Sequence, residues 1–111
     1  MHRKGHFVLK TTWGSEHIKM DDILYLKYEA RAIKVYTQKE EFVVNKTLEE
    51  AYQELSDQFL YVNRNTIVNR NYIKAVKGFY LYMYHCSEPI EISRRRKKQI
   101  TNAIFEKLDK I

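Results

Sequence analysis

A mostly β fold with two helices, one mid-chain and one C-terminal, is what the sequence predicts. Three observations carry that expectation. Short segments rich in Val, Ile, Phe and Tyr recur between polar breaks, several of them alternating apolar and polar residues with a period of two. The period changes to helical spacing in two stretches, after Thr47 and after Ser93. With 44% apolar residues, three Gly and one Pro, the chain has the material for a core and lacks the composition of a disordered segment. Its 111 residues are expected to form a single domain, with residues 1–5 as a loose basic start.

The elements follow in order. Residues 6–12 and 16–20 read as two strands joined by a turn at Trp13-Gly14-Ser15. Asp21-Asp22 precedes Ile23-Leu24-Tyr25-Leu26, an apolar run suited to a strand buried on both faces. A bend is expected over residues 28–32, after which Ile33 and Val35 alternate with Lys34 and Tyr36. A turn over 38–40 leads into Glu41-Phe42-Val43-Val44. Thr47-Leu48-Glu49-Glu50 is a capping box: the Thr hydroxyl can meet the Glu50 N–H while the Glu50 carboxylate reaches back. Leu48, Ala51, Tyr52 and Leu55 then share one helical face, and the helix should end near Ser56-Asp57.

The centre of the chain, FLYVNRNTIVNRN (residues 59–71), reads as a strand, an Asn63-Arg64-Asn65 break, a short strand, and an Asn69-Arg70-Asn71 break. A strand over 72–76 and a turn at Lys77-Gly78 follow. Phe79, Leu81 and Met83 then alternate with Tyr80, Tyr82 and Tyr84, which puts the first set in the core and the tyrosines on a second packing layer or a partner surface. After a turn at Ser87-Glu88-Pro89 comes a last strand, Ile90-Glu91-Ile92. Ser93 is placed to cap a terminal helix whose stripe is Ile100, Ala103, Ile104, Leu108 and Ile111, widened by Phe105.

Charge narrows the function classes. The net charge of +6 and pI near 9.4 favour a polyanionic partner: nucleic acid, an anionic membrane surface or an acidic protein. A single cysteine, Cys86, allows no internal disulfide and fits a reducing cytoplasm. No apolar run approaches the length of a membrane span. An enzyme finds no support. His2, His6, His17 and His85 have no metal-ligand spacing with Cys86, the three Gly make no phosphate loop, and His85 and Cys86, as strand neighbours, would face opposite ways. No cofactor is implied. Asp21-Asp22 could in principle be catalytic or hold a metal, but a structural turn fits better, since no acidic pair or His cluster sits near them in the sequence.

One feature contradicts its own local physics. Arg94-Arg95-Arg96-Lys97-Lys98 follows the cap, placing cations where a helix terminus is already partly positive. An anion arriving there would meet guanidinium groups and free N–H groups together. A surface that reads DNA needs phosphate contacts for affinity and a few side chains on base edges for selectivity. The basic run can supply the first. Arg31, Arg64, Asn65 and one Arg of 94–96 can supply the second if the breaks fall on one edge of the fold; the plainer alternative is solvated turns.

These residues also carry a resemblance. From about Glu16 to Ile111 the chain resembles the LytTR DNA-binding domain, the output module of the LytR/AgrA group of bacterial response regulators. The match lies in the ordered set Met20-Asp21-Asp22-Ile23-Leu24-Tyr25-Leu26, Leu48-Glu49-Glu50, residues 59–69, Ile73, and Ile90-Glu91-Ile92-Ser93-Arg94-Arg95. The resemblance implies a stack of small antiparallel sheets with short helical segments, binding double-stranded DNA through loops that enter successive major grooves, in transcriptional regulation. It implies base-reading roles for Arg31, Arg64 and Arg94 or Arg95, and phosphate or flanking contacts for Asn63, Asn65, Arg70, Lys74, Arg96 and Lys97. It further implies paired direct repeats as the target, a weak homodimer enforced by DNA, and a receiver domain outside this chain or a stand-alone regulator. The chain departs from the family where His-Arg-Ser or similar becomes Asn63-Arg64-Asn65, and where Arg96-Lys97 replaces the usual aromatic. The competing expectation is a small basic β module whose Tyr80, Tyr82 and Tyr84 face binds an acidic protein or an anionic membrane.

Overall fold

The computed structural model describes residues 5–11 and 13–109. The chain runs β1 (His6–Thr11), β2 (Gly14–Lys19), β3 (Ile23–Glu29), β4 (Ala32–Thr37), β5 (Glu41–Val44), α1 (Leu48–Glu54), β6 (Phe59–Asn63), β7 (Thr66–Asn69), β8 (Ile73–Lys77), β9 (Tyr80–Met83), β10 (Ile90–Glu91) and α2 (Lys97–Asp109). Three antiparallel sheets result: the ribbon β1-β2, the sheet β5-β4-β3-β7-β6 and the sheet β10-β9-β8. Most of residues 1–5, together with Thr12, Ile111 and the side chains of Phe105 and Leu108, lie outside the described residues. The Gly5 carbonyl accepts a hydrogen bond from the Met20 N–H (3.0 Å).

The five-stranded sheet is the middle layer. Its strands alternate faces, so consecutive apolar residues serve two different cores. Phe59 and Ile67 join Phe7, Ile18, Leu26 and Val35 under the ribbon and α1. Their neighbours Leu60 and Val68 join Leu81, Met83, Ile92 and Ile100 under the three-stranded sheet and α2. This is why Phe59-Leu60 and Ile67-Val68 are consecutive apolar pairs. Burying each such side chain contributes roughly 1.5–3 kcal/mol.

Local chemistry sets the helix starts and turns. Both capping-box bonds form, Glu50 N–H to Thr47 Oγ1 (3.1 Å) and Thr47 N–H to Glu50 Oε1 (2.9 Å). The carboxylate of Glu50 is held below its usual range by these bonds. The ribbon closes earlier than expected: β1 ends one residue and β2 begins two residues sooner, with Thr11 paired to Gly14.

Four further expectations need correction. The bend at 28–32 is a tight hairpin: β3 continues through Glu29 and turns at Ala30 and Arg31, both with positive φ (51° and 65°). That conformation usually selects Gly or Asn, which is why Ala-Arg did not announce it. Helix α1 stops at Glu54, since Leu55 turns into extended backbone to reach the core. Phe79 is not a core residue; it lies in the turn with Gly78 (φ 61°) and is 42% exposed, while Leu81 and Met83 are buried. The Ser93 side chain does not cap: Arg94–Arg96 form a single 3-10 turn through the Ser93 carbonyl, and α2 begins at Lys97.

Candidate nucleic-acid interface

Two hairpin turns leave the same end of the middle sheet. Strands β3 and β7 are neighbours paired up to Lys27 and Thr66, and beyond that pair the Tyr28 N–H donates to the Asn65 carbonyl (2.8 Å). The turn bearing Arg31 and the turn bearing Arg64 are therefore tied to each other through the backbone. Both arginines are exposed.

The β6–β7 turn is built by Asn63. Its Oδ1 accepts from the Asn65 N–H (2.9 Å), closing an Asx turn, and its Nδ2 donates to the Glu91 carbonyl (2.7 Å). One side chain thus shapes the turn and fastens it to β10. The Ser93 N–H donates to the Val62 carbonyl (2.9 Å), which sets the basic run beside the end of β6. A groove of about 630 Å³ opens between them, with Lys27, Arg64 and Asn65 on one side and Arg95 and Arg96 on the other. Glu88, Glu91 and Tyr25 also line it. A second groove, about 570 Å³, is lined by Arg70, Arg95, Lys98, Gln99 and Asn102, so Arg95 belongs to both.

The basic run is sorted by aromatic rings. The Arg94 guanidinium lies 5.7 Å and the Lys97 ammonium 4.9 Å from the centre of the Phe79 ring. Arg96 lies 4.9 Å over Tyr61, whose ring packs on Tyr52 at 4.8 Å. Arg95 sits over no ring among the described residues. The ion pairs among those residues, Lys34 with Glu29 and Lys46 with Glu54, leave the run without an acidic partner.

Tyr25 forms part of the groove wall and stacks on Tyr36 (4.4 Å). Burial, with nearby acidic groups, pushes its hydroxyl up to about 12. Burial and a 2.6 Å bond to Glu29 raise the Tyr36 hydroxyl as well, and that bond holds Glu29 below the usual carboxylate range. The pair stiffens the β3–β4 hairpin just before Arg31.

Other candidates fall elsewhere. Lys74 lies at the start of β8, at the end of the three-stranded sheet away from Glu91, with its ammonium 5.9 Å from the Tyr84 ring. Arg70 reaches the second groove while donating to the Asp57 carbonyl (3.0 Å). Asp21 is structural: its carboxylate accepts from Gln58 (3.1 Å) and its carbonyl from the Tyr72 hydroxyl. Among the described residues no cluster of His, Cys, Asp and Glu could hold a metal ion. His85 and Cys86 are in a turn rather than a strand; His85 packs edge-on to Tyr72, and Cys86 packs against the second core, where burial pushes its thiol up. Among the described residues no helix is long and apolar enough to cross a membrane. Tyr25, Lys27 and Glu88 were missed as groove residues, because their part depends on strand pairing that no local pattern reveals.

The family model for the LytTr DNA-binding domain matches residues 14–105. Among solved structures, the chain is similar to the LytTr DNA-binding domain of a protein described as a methyl-accepting/DNA response regulator from Bacillus cereus. The two are 25% identical with a TM-score of 0.76, over 92% of this chain and 98% of that one. No curated protein matches the chain.

Proposed function

The chain belongs to the LytTR family of DNA-binding domains, and from that premise we propose that it reads double-stranded DNA with the loops at one end of its middle sheet. Arg31, Arg64 and Arg95 contact base edges from successive major grooves, each in the manner of an arginine on guanine. Asn65, Arg70, Arg94, Arg96, Lys97 and Lys98 neutralise phosphates alongside. Asn63 holds the central loop in shape. Residues 1–111 act as one domain on paired direct repeats, two copies associating weakly until DNA aligns them, with the signal arriving from a receiver domain outside this chain. The observation that supports this most directly is the groove shared by Arg64 and Arg95, residues distant in sequence that converge across the Asn63–Glu91 bond.

The test is selection of binding sites from a random double-stranded pool at near-physiological salt. An enriched, repeated motif is expected, bound about 10³-fold or more above unrelated DNA. Arg64→Ala and Arg95→Ala should each relax one position of that motif. A flat pool with salt-sensitive retention would overturn the proposal and leave the face of Tyr80, Tyr82 and Tyr84 as the surface for an acidic partner.

A further inference from the structure

We propose that Phe79 is a positioning residue: its ring is a shared seat that holds Arg94 and Lys97 ready for the DNA backbone. The inference rests on the DNA-binding proposal above and adds to it a residue that alternation assigned to the core.

Four observations lead to it. Phe79 departs from the burial of its own face: Leu81 and Met83 are buried, whereas Phe79 sits in the turn at 42% exposure. An exposed ring of this size contributes little to either core. Its position is nonetheless fixed, because the Phe79 carbonyl accepts the Ile92 N–H (2.8 Å), two residues before Arg94. Arg94 and Lys97 stand three positions apart across a helical turn, so both can reach one ring, at 5.7 and 4.9 Å. Neither has an ion pair with a carboxylate among the described residues.

Two cations near one ring repel each other, and each loses rotamer freedom by staying there. The ring quadrupole offsets part of both penalties. A polyanion laid along this corner removes the repulsion and finds its partners already ordered, so less freedom is lost on binding. Without the ring, Arg94 and Lys97 must be collected from solvent at the moment of contact. Tyr61 does the same for Arg96 on the other side of the run, which leaves Arg95 without a seat between them.

The test compares Phe79→Leu, Phe79→Tyr and the unmodified chain. In the free protein, ring-current shifts on the Arg94 and Lys97 side-chain protons should be present in the unmodified chain and in Phe79→Tyr, and absent in Phe79→Leu. On a selected duplex, Phe79→Leu should bind roughly three- to tenfold more weakly, as expected for the loss of two exposed cation–ring contacts. The loss should be equal on unrelated DNA, with a shallower salt dependence, an unchanged motif and an unchanged melting temperature. Phe79→Tyr should bind as the unmodified chain does. Absent ring-current shifts in the unmodified chain, or Phe79→Leu binding with unaltered affinity and salt slope, would overturn the proposal. A flat selection by the unmodified chain would instead defeat the DNA-reading proposal, and the free-protein spectra keep the two failures apart.

Discussion

The tripeptide Asn-Arg-Asn occurs twice, at 63–65 and at 69–71, and the two copies use the same chemistry for opposite ends. In each, the first Asn side chain accepts the N–H two residues on, at 2.9 Å in the first copy and 3.1 Å in the second. In each, its amide also donates to a distant carbonyl, Glu91 from Asn63 and Ile23 from Asn69. Burial separates them. Asn69 is fully buried as the last residue of β7, and Arg70 is braced on the Asp57 carbonyl. Asn63 is partly exposed, and Arg64 stands in the open groove. Asn69 locks β7 to the start of β3 inside the middle sheet, whereas Asn63 ties its turn across to β10 of the three-stranded sheet and leaves Arg64 exposed. Identical local chemistry acquires its role from which carbonyl is near.

Four substitutions would break or sharpen that comparison. Asn69→Ala should be the most damaging to the fold, because it removes the fully buried amide that donates to the Ile23 carbonyl; a loss of about 2–3 kcal/mol is expected in denaturant unfolding. A loss as small as that of Asn63→Ala would remove the distinction. Arg64→Ala should leave stability within about 0.5 kcal/mol while costing about 1–3 kcal/mol of base discrimination in competition binding. Arg70→Ala should weaken all duplexes alike and reduce the salt slope by about one, with no change in the preferred sequence. If it shifted the motif instead, the second copy would be a reader too. Lys74→Ala should have the smallest effect, leaving affinity unchanged in the same titrations, because Lys74 lies at the far end of its sheet.

How legible each feature was depended on how local its cause is. The capping box of Thr47 and Glu50 and the strand pair around residues 59–69 follow from neighbouring residues and appear where expected. The burial of Asn69 does not, because its donor bond spans 46 residues. Phe79 was misassigned since a period of two cannot mark where a strand begins; Gly78 turns the chain one residue too late for Phe79 to enter β9. Ser93 looked like a cap, but its carbonyl closes a tighter turn. The different surroundings of Arg94 and Arg95 were not legible in sequence, as the ring beside Arg94 comes from the distant turn at Gly78-Phe79.

The Tyr28–Asn65 backbone bond has an evolutionary consequence. It fixes the two arginine-bearing tips by strand register, and residues 30, 31, 64 and 65 are all exposed. Arg64 and Asn65 can be exchanged singly without disturbing a buried neighbour, whereas positions 30 and 31 favour residues that tolerate positive φ; on the proposed reading, a new target sequence is one such substitution away. An added or deleted residue within β3 or β7 would turn their buried faces outward. On the proposed reading, the letters recognised can change while the spacing between them is held by strand register.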